Sequence, residues 1–506
     1  MPDIVLTTLN AKYIHAAFGL RYLFANLGPL RQHARILEFD VNQRPVDVAE
    51  LLLAQHPKII GLGVYIWNVK PAKELVAVLK RLRPDVIVIL GGPEVSHETE
   101  QQEIVRLADH VITGEADLKF AEVCGELLKG EAPSKIISAP LPEFLQLTLP
   151  YEFYDAADVA HRIIYVEASR GCPFTCEFCL SSLDIPVRTV PLTLFLAEMQ
   201  KLLDRGVRQF KFVDRTFNLN LVTSRAILEF FLARHRPGDF YHFEMVPDRL
   251  PPELREIIVR FPPGALQFEV GVQTFNEQVG GLISRRQNYA RLEENFRFLR
   301  NETGVHLHAD LIVGLPGETV ESFAAGFDRL IALHPQEIQM GILKRLRGVP
   351  VARHDDAWQM LYNPHPPYEI MQNRLIDFAT MQRLRRFARH WDLVGNSGNF
   401  IETMTLIWSE GASPFANFLQ WSEWLHARAN RSDGIALVRL MEWLFAFLTG
   451  ELRRDAQIVA ESLWRDYQRG GRRDKPIFLR EFLTEASPVP VRQLGSPAKR
   501  QARHLG

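Results

Sequence analysis

Three of the chain's four cysteines fall close together, as Cys172, Cys176 and Cys179 in the segment SRGCPFTCEFCL. So tight a thiol cluster in a reducing setting points to a metal site. A structural zinc site wants four ligands. There is no second cysteine pair, and residues 180–189 contain no histidine. A redox C-x-x-C would leave the third cysteine unused. A cubic [4Fe–4S] cluster normally takes four thiolates. Three leave one iron open, and an open iron can bind and activate a substrate. The fourth cysteine, Cys124 in FAEVCGELL, sits on a helical pattern and reads as a small buried hydrophobe.

The spacing C-x3-C-x2-C, with the aromatic Phe178 before the last cysteine, resembles the signature of radical S-adenosylmethionine (SAM) enzymes. That resemblance implies that the open iron is chelated by the amino and carboxylate groups of SAM. It also implies that one electron from the cluster cleaves the sulfonium to a 5′-deoxyadenosyl radical. The motif follows an apolar strand-like run, IIYVEAS (163–169), and precedes a helical pattern starting near Pro191. This places a metal loop at the C-terminal end of a first strand, where a (β/α) barrel keeps its chemistry.

Polar groups inside otherwise apolar strands need a reason, because burying them unpaired is costly. Glu244 interrupts FEM, Gln273 follows FEVGV, and Asp310 sits in HADLIVGLPGE. Here too the resemblance assigns roles. GVQT (271–274) is similar to a SAM-contacting segment of coproporphyrinogen-type radical SAM enzymes. Glu244 is placed like the family carboxylate that grips the ribose or the methionine amine. GLPGE (314–318), with Gly314 and Pro316, looks like the turn that brackets the adenine. Arg285 or Arg286 would hold the methionine carboxylate, a task suited to a guanidinium fork, and Arg286 is taken as the candidate. Asp214 and Arg215, in FVDRTFN (212–218), resemble the usual polar motif after the second strand. The plainer reading of each is an internal hydrogen-bond network of the barrel.

The elements that must position these residues come in two series. Residues 1–130 alternate strand and helix patterns. The strand-like runs are DIVLTTL (3–9), ARILEF (34–39), IIGLGVYI (59–66), VIVIL (86–90) and VIT (111–113). Near-continuous apolar strands between helices imply a parallel sheet covered on both faces, here of five strands, doubly wound. Gly61, Gly63, Gly91, Gly92 and Gly114 lie within or just after the central strands. Singly they read as tight turns; together they suggest a backbone surface that a bulky ligand approaches closely. No G-x-G-x-x-G is present, which argues against a nicotinamide cofactor. Such a domain directly before the cysteine motif resembles the cobalamin-binding class of radical SAM proteins. The resemblance rests on LGVYIWN (62–68), LGGPEVS (90–96) and ITGEAD (112–117), and it makes Gly63, Tyr65, Trp67, Gly91, Gly92, Glu94, Gly114 and Glu115 the candidate cobalamin contacts. The D-x-H-x-x-G motif that gives cobalt an imidazole in better-known cobalamin enzymes is absent. His15 and His97 are alternative ligands, although a lone histidine is more often a surface or capping residue.

Residues 161–345 repeat strand then helix, with strands at 163–168, 209–213, 241–245, 266–272, 306–313 and 337–343. Six units suggest a partial (β/α)6 barrel, open on one side. The expected architecture is therefore α/β. A five-stranded doubly wound cobalamin-binding domain (1–140) leads, through a proline-rich linker (141–160, the aperiodic stretch beginning near 131), to the barrel (161–395). An all-helical domain (396–486) and a disordered basic tail (487–506) follow. Loops and a helix over 370–390 are expected to close the barrel mouth. The tryptophans at 408, 421, 424, 443 and 464 read as helical core, and this region resembles the helical extension of one subgroup of cobalamin-binding radical SAM proteins.

Composition bounds the function. Hydrophobic residues make up 47% and charged residues 24%, which excludes a disordered chain. With 59 Lys+Arg against 60 Asp+Glu, the formal charge is −1, so no global field recruits nucleic acid or anionic lipid. The basic tail KRQAR (499–503) reads as solvated. The N-terminus lacks a signal-peptide pattern, and the most apolar run, 437–450, is interrupted by Arg439 and Glu442. A cytoplasmic protein is expected. The cofactors implied are a [4Fe–4S] cluster, SAM and cobalamin. The partners implied are a small-molecule substrate and an external one-electron reductant such as flavodoxin or ferredoxin, without membrane or nucleic acid. The activity implied is methylation of an unactivated carbon. Alternatives are a cobalamin-assisted rearrangement, cyclisation or oxidation, and a non-catalytic cobalamin-binding module. A tRNA-modifying methylthiotransferase needs three further cysteines near the N-terminus, where this chain has only Cys124, so that class is rejected.

Overall fold

The computed structural model describes residues 1–184, 186–408, 411–429, 434–483 and 501–504. The chain divides into two compact units. One is Met1–Arg215 with Lys344–Ala352 and Asn363–Glu369; the other is Thr216–Leu343 with Arg353–Tyr362 and Ile370–Gly506.

In the first unit, strands and helices alternate as β1 (Ile4–Asn10), α1 (Phe18–Ala25), β2 (Ala34–Asp40), α2 (Pro45–Leu53), β3 (Ile59–Gly63), α3 (Val69–Leu82), β4 (Ile87–Gly91), α4 (Glu103–Leu107), β5 (His110–Thr113), α5 (Lys119–Leu128) and β6 (Ile136–Ser138). All seven residues of β1 are buried. A strand so apolar must be covered on both faces. One core layer joins Val48 and Leu52 of α2 with Leu75, Val76 and Leu79 of α3; the opposite layer joins Leu20 of α1 with Phe120, Val123 and Cys124 of α5. On α3 the buried positions are Val69, Ala72, Leu75, Val76 and Leu79, one stripe at helical spacing. Burial pushes the Cys124 thiol up to about 12, as befits a packing residue.

The sheet order is β2-β1-β3-β4-β5-β6, and every pair is parallel. The expected five strands are therefore six. The additional strand, β6, has only three residues and lies at the sheet edge, half exposed, so it leaves no periodic run to read. It falls in the stretch beginning near 131 that was read as aperiodic.

The first unit continues with α6 (Ala156–His161), β7 (Ile164–Val166), a two-stranded ribbon of β8 (Ser169–Arg170) and β9 (Arg188–Thr189), α7 (Leu192–Asp204) and β10 (Gln209–Phe212). The second unit carries α8 (Leu221–Arg234), β11 (Phe240–Met245), α9 (Pro252–Ile258), β12 (Leu266–Gln273), α10 (Glu277–Leu282), α11 (Tyr289–Glu302), β13 (His306–Val313), α12 (Val320–Ile331) and β14 (Glu337–Ile342). The second sheet has six strands, in the order β14-β13-β12-β11-β10-β7. These are the six strand–helix repeats read from the sequence.

After α13 (Asp355–Trp358), a short antiparallel pair forms from β15 (Leu361–Tyr362) and β16 (Ile370–Gln372). The helix expected over 370–390 instead begins at Phe378 and runs to Val394 as α14. Its start is fixed by Asp377, whose carboxylate accepts from Thr380 N at 2.8 Å. Residues 370–372 pair as strand instead. The C-terminal helices are α15 (Ile401–Met404), α16 (Pro414–Ala429), α17 (Leu437–Ala446) and α18 (Ala456–Arg469). Trp421 is fully buried and stacks on Trp424 at 5.6 Å, and Trp464 is also buried, so these two are core, whereas Trp408, Trp424 and Trp443 are only half-buried. Most of the 487–506 tail lies outside the described residues; Gln501–His504 forms one helical turn. Among the described residues no helix is long and apolar enough to cross a membrane.

Arg21 of α1 is buried between two carboxylates. It donates to Glu38 of β2 and, at 2.6 Å, to Asp158 of α6, while Arg162 makes a second pair with Glu38 at 2.6 Å. Removing one partner of a buried pair strands the others. Arg21→Met is expected to destabilise the protein by about 3–5 kcal/mol, read from urea unfolding, whereas breaking the exposed pair Arg44–Asp47 should leave the unfolding midpoint essentially unchanged.

Candidate functional site

At the C-terminal ends of β3, β4 and β5 lies a cavity of about 300 Å3. Its floor is backbone: Gly61, Gly63, Gly91, Gly92 and Gly114 all line it, with Tyr65 and Glu115. Strand C-terminal ends are where open α/β sheets bind ligands. Gly92 is required here. Its φ is +108°, and an added Cβ would stand 2.5 Å from the Val64 carbonyl oxygen. The cradle is held by Asn68, which is fully buried. Its amide nitrogen donates to Leu9 O, Thr8 Oγ1 and Gly63 O at 3.0–3.1 Å, and its oxygen accepts from Tyr65 N at 2.8 Å.

Of the eight candidate cobalamin contacts, six line this cavity: Gly63, Tyr65, Gly91, Gly92, Gly114 and Glu115. The other two do not. Trp67 is half exposed and stacks flat on Tyr65, with centroids 4.5 Å apart. Glu94 is buried and engaged elsewhere: it pairs with Arg347 at 3.0 Å and accepts from the Tyr368 hydroxyl at 2.6 Å. Neither His15 nor His97 is a lining residue. His15 Nδ1 lies 2.5 Å from the Tyr165 hydroxyl, and His97 packs against Gly348.

The cavity also has a charged end that the sequence reading missed, formed by Asp117, Glu167 and Arg170. Asp117 lies 53 residues before Arg170, and nothing local marks the two as partners. From Arg170 the chain runs through Gly171 into Cys172. Gly171 has φ +89°, and a Cβ there would stand 2.7 Å from Asp184 O and 2.9 Å from Pro186 O. The cysteine loop is therefore folded tightly on itself. Cys172 N donates to Asp184 O and Cys179 N to Cys176 O, both at 3.1 Å. No disulfide joins the cysteines; Cys172 and Cys176 are buried, and Cys179 and Phe178 are half buried. Three shielded thiols on one short loop are a donor set that fits a [4Fe–4S] cluster with one open iron. The glycine floor fits a broad, flat ligand.

Asp214 follows β10 and is 2% exposed. It accepts from Ala168 N at 3.0 Å and Ser169 Oγ at 2.6 Å. Burial pushes its carboxyl up to about 7, against the pull of those hydrogen bonds.

In the second unit, Glu244 lies near the end of β11, and its carbonyl accepts from Phe217 N. Gln273 ends β12 in a left-handed conformation, φ 70°. Arg285 donates to Gly271 O, and Gln287 donates to Val272 O at 2.7 Å, so two side chains grip the end of β12. Arg286, the candidate of the pair, is exposed and lines a different groove with Phe275, Tyr289 and Arg329. Gly314 and Pro316 follow β13 and are buried. Glu318 closes that turn by accepting from Thr274 Oγ1 at 2.6 Å. Burial raises its carboxyl to about 7, more than the hydrogen bonds from Thr274 and Ser322 lower it. Asp310 faces His308, 3.4 Å away.

Comparison with known proteins matches three stretches of the chain to family models. The B12 binding domain family matches residues 4–124, and the Radical SAM superfamily matches 166–330. The chain carries a B12 binding domain followed by a radical SAM domain. Residues 356–492 match a family described as a protein of unknown function, DUF4080. The domains take cobalamin, SAM and a [4Fe–4S] cluster. An uncharacterised methyltransferase of Pyrococcus horikoshii is 28% identical over 34% of this chain and 43% of its own length. The ribosomal protein uS12 methylthiotransferase RimO of Desulfotalea psychrophila is 25% identical over 47% of this chain and 54% of its own. The chain thus spans about half the length of these curated relatives. Two solved structures share the fold. OxsB, a cobalamin-dependent SAM radical enzyme with aqua-cobalamin bound, has a TM-score of 0.62 at 14% identity, over 92% of this chain and 80% of that one. TsrM, a radical SAM methyltransferase of Kitasatospora setae, has a TM-score of 0.57 at 16% identity, over 72% and 79%.

Glu318 gives this region a pH signature. Its folded value near 7 lies above the ordinary 4.5, so the folded state holds the proton more tightly and stability falls as pH rises between the two. Wild type should lose about 3 kcal/mol across that window from this group. Glu318→Gln should flatten the decline, checked by urea unfolding at pH 5 and pH 8.

Proposed function

We propose that this chain is a cobalamin-dependent radical SAM enzyme that methylates an unactivated carbon of a small-molecule or natural-product substrate. The observation that carries the reading is a shared wall. The glycine-floored cavity ends at Glu167 and Arg170, and Cys172 lies two residues further along the chain. When bound, the cofactors supply reductive cleavage of SAM to a 5′-deoxyadenosyl radical and carriage of a methyl group.

The residues of the chain bind, orient and shield. Cys172, Cys176 and Cys179 would hold the cluster, and burial of the first two keeps water from it. The floor of Gly63, Gly91, Gly92 and Gly114, with Tyr65, would hold the corrin. In the second unit, Glu244, Gln273, Gly314 and Pro316 are the groups offered to SAM. Arg285, through its bond to the β12 end, replaces Arg286 as the guanidinium for that task. Electrons come from an external one-electron donor such as flavodoxin or ferredoxin, because one cysteine outside the motif cannot build a second cluster.

The likeness to ribosomal methylthiotransferases favours a second reading, sulfur insertion. That chemistry calls for additional cysteines. The single one outside the motif, Cys124, is buried in α5 with its thiol raised to about 12.

Anaerobic protein with rebuilt cluster, cobalamin, reductant and SAM should yield 5′-deoxyadenosine and S-adenosylhomocysteine together by mass spectrometry. Deoxyadenosine alone would favour rearrangement or oxidation. Cys176→Ala should abolish both products while leaving cobalamin uptake intact. Retention of deoxyadenosine formation in that variant would sink the proposal.

A further inference from the structure

The charged end of the cavity is organised around one side chain. Arg170 Nη1 donates to Glu115 Oε2 at 2.8 Å and to Asp117 Oδ2 at 3.0 Å; Nη2 donates to Asp117 Oδ1 at 3.1 Å; Nε donates to Glu167 Oε1 at 2.8 Å. Every nitrogen of the guanidinium is engaged. The group also lies over the Tyr22 ring, 4.3 Å from its centroid, and 5.3 Å from that of Phe144. Its orientation is therefore fixed on all sides. A second arginine, Arg188, braces the assembly by donating to Glu115, to Asp184 and to Pro142 O. Burial alone would raise the Glu115 carboxyl, but Arg188 and Arg170 hold it below its ordinary value, so it stays ionised.

The carboxylates come from two places. Glu115 and Asp117 belong to the loop after β5, part of the cavity wall. Glu167 lies between β7 and the cysteine loop. Only Gly171 separates Arg170 from Cys172, and a Cβ added there would stand 2.7 Å from Asp184 O and 2.9 Å from Pro186 O, so backbone packs closely around this residue. Arg170 is thus joined to Cys172 through a single close-packed residue, and Cys172 N is itself tied to Asp184 O at 3.1 Å.

We propose that Arg170 is a positioning residue that locks the cysteine loop to the wall of the glycine-floored cavity, so that cluster and cobalamin are held at one fixed separation. A lysine could not do this, because a point charge lacks the fork that engages three carboxylates at once. The inference rests on the cobalamin reading above.

The test uses anaerobic holoprotein with full iron content, titrated with hydroxocobalamin and followed by visible absorbance. The magnetic coupling between cobalt(II) and the reduced cluster is then read by electron paramagnetic resonance. In Arg170→Gln, the Kd for hydroxocobalamin should rise about tenfold or more, and the coupling should weaken and spread. Arg170→Lys should fall between, closer to Gln. Asp117→Asn leaves Arg170 its other two carboxylates and should shift both readouts in the same direction by less; it decides the matter if Arg170→Gln does not fold. Wild-type affinity and coupling in a folded variant, even with a lowered melting temperature, would overturn the inference, since a merely structural role predicts that pattern. Wild type unable to take up hydroxocobalamin would overturn the proposed function itself, and this inference with it.

Discussion

A guanidinium taken out of water demands carboxylates, and that demand organises the first unit. Arg21, Arg170 and Arg188 are each largely withdrawn from solvent, and each recruits acids from segments far apart in the chain. Arg21 joins β2 to α6. Arg170 and Arg188 join the β5 loop to both ends of the cysteine loop. Apolar packing would hold the sheet and helices together without them, but packing is tolerant of sliding. Forked hydrogen bonds are not. The β5 loop and the cysteine loop are therefore registered by charge, whereas the scaffold beneath them is held by apolar burial.

Features that are local were legible. Three cysteines within one loop, glycines at strand ends and six strand–helix repeats all leave marks within a few residues of themselves. Residues whose roles depend on distant partners left none. Glu94 sits in a glycine loop beside genuine cavity residues, yet its carboxylate is taken by Arg347 and Tyr368, more than 250 residues later. Trp67 lies two residues from Tyr65 and stacks on it rather than joining the lining. Arg285 and Arg286 are indistinguishable in sequence, and only the course of the chain after α10 sends one to the β12 end and the other to solvent.

Secondary structure followed the same division. Strands with buried faces, such as β1 and β13, matched their apolar runs. The edge strand β6 is too short and too exposed to show a pattern, and the start of α14 was decided by a capping aspartate rather than by the apolar stripe that follows it. Two carboxyls, Asp214 and Glu318, are held near neutrality by burial, a property that no sequence pattern carries.

The buried Asn68 has a consequence for how the first unit receives a ligand. Its four hydrogen bonds join the ends of β1 and β3 to the residue that begins the aromatic wall. The floor is therefore set before anything arrives, and little backbone freedom remains to be lost on association. Recognition by such a surface is a matter of complementary shape, with the ordering entropy already spent when the chain folded.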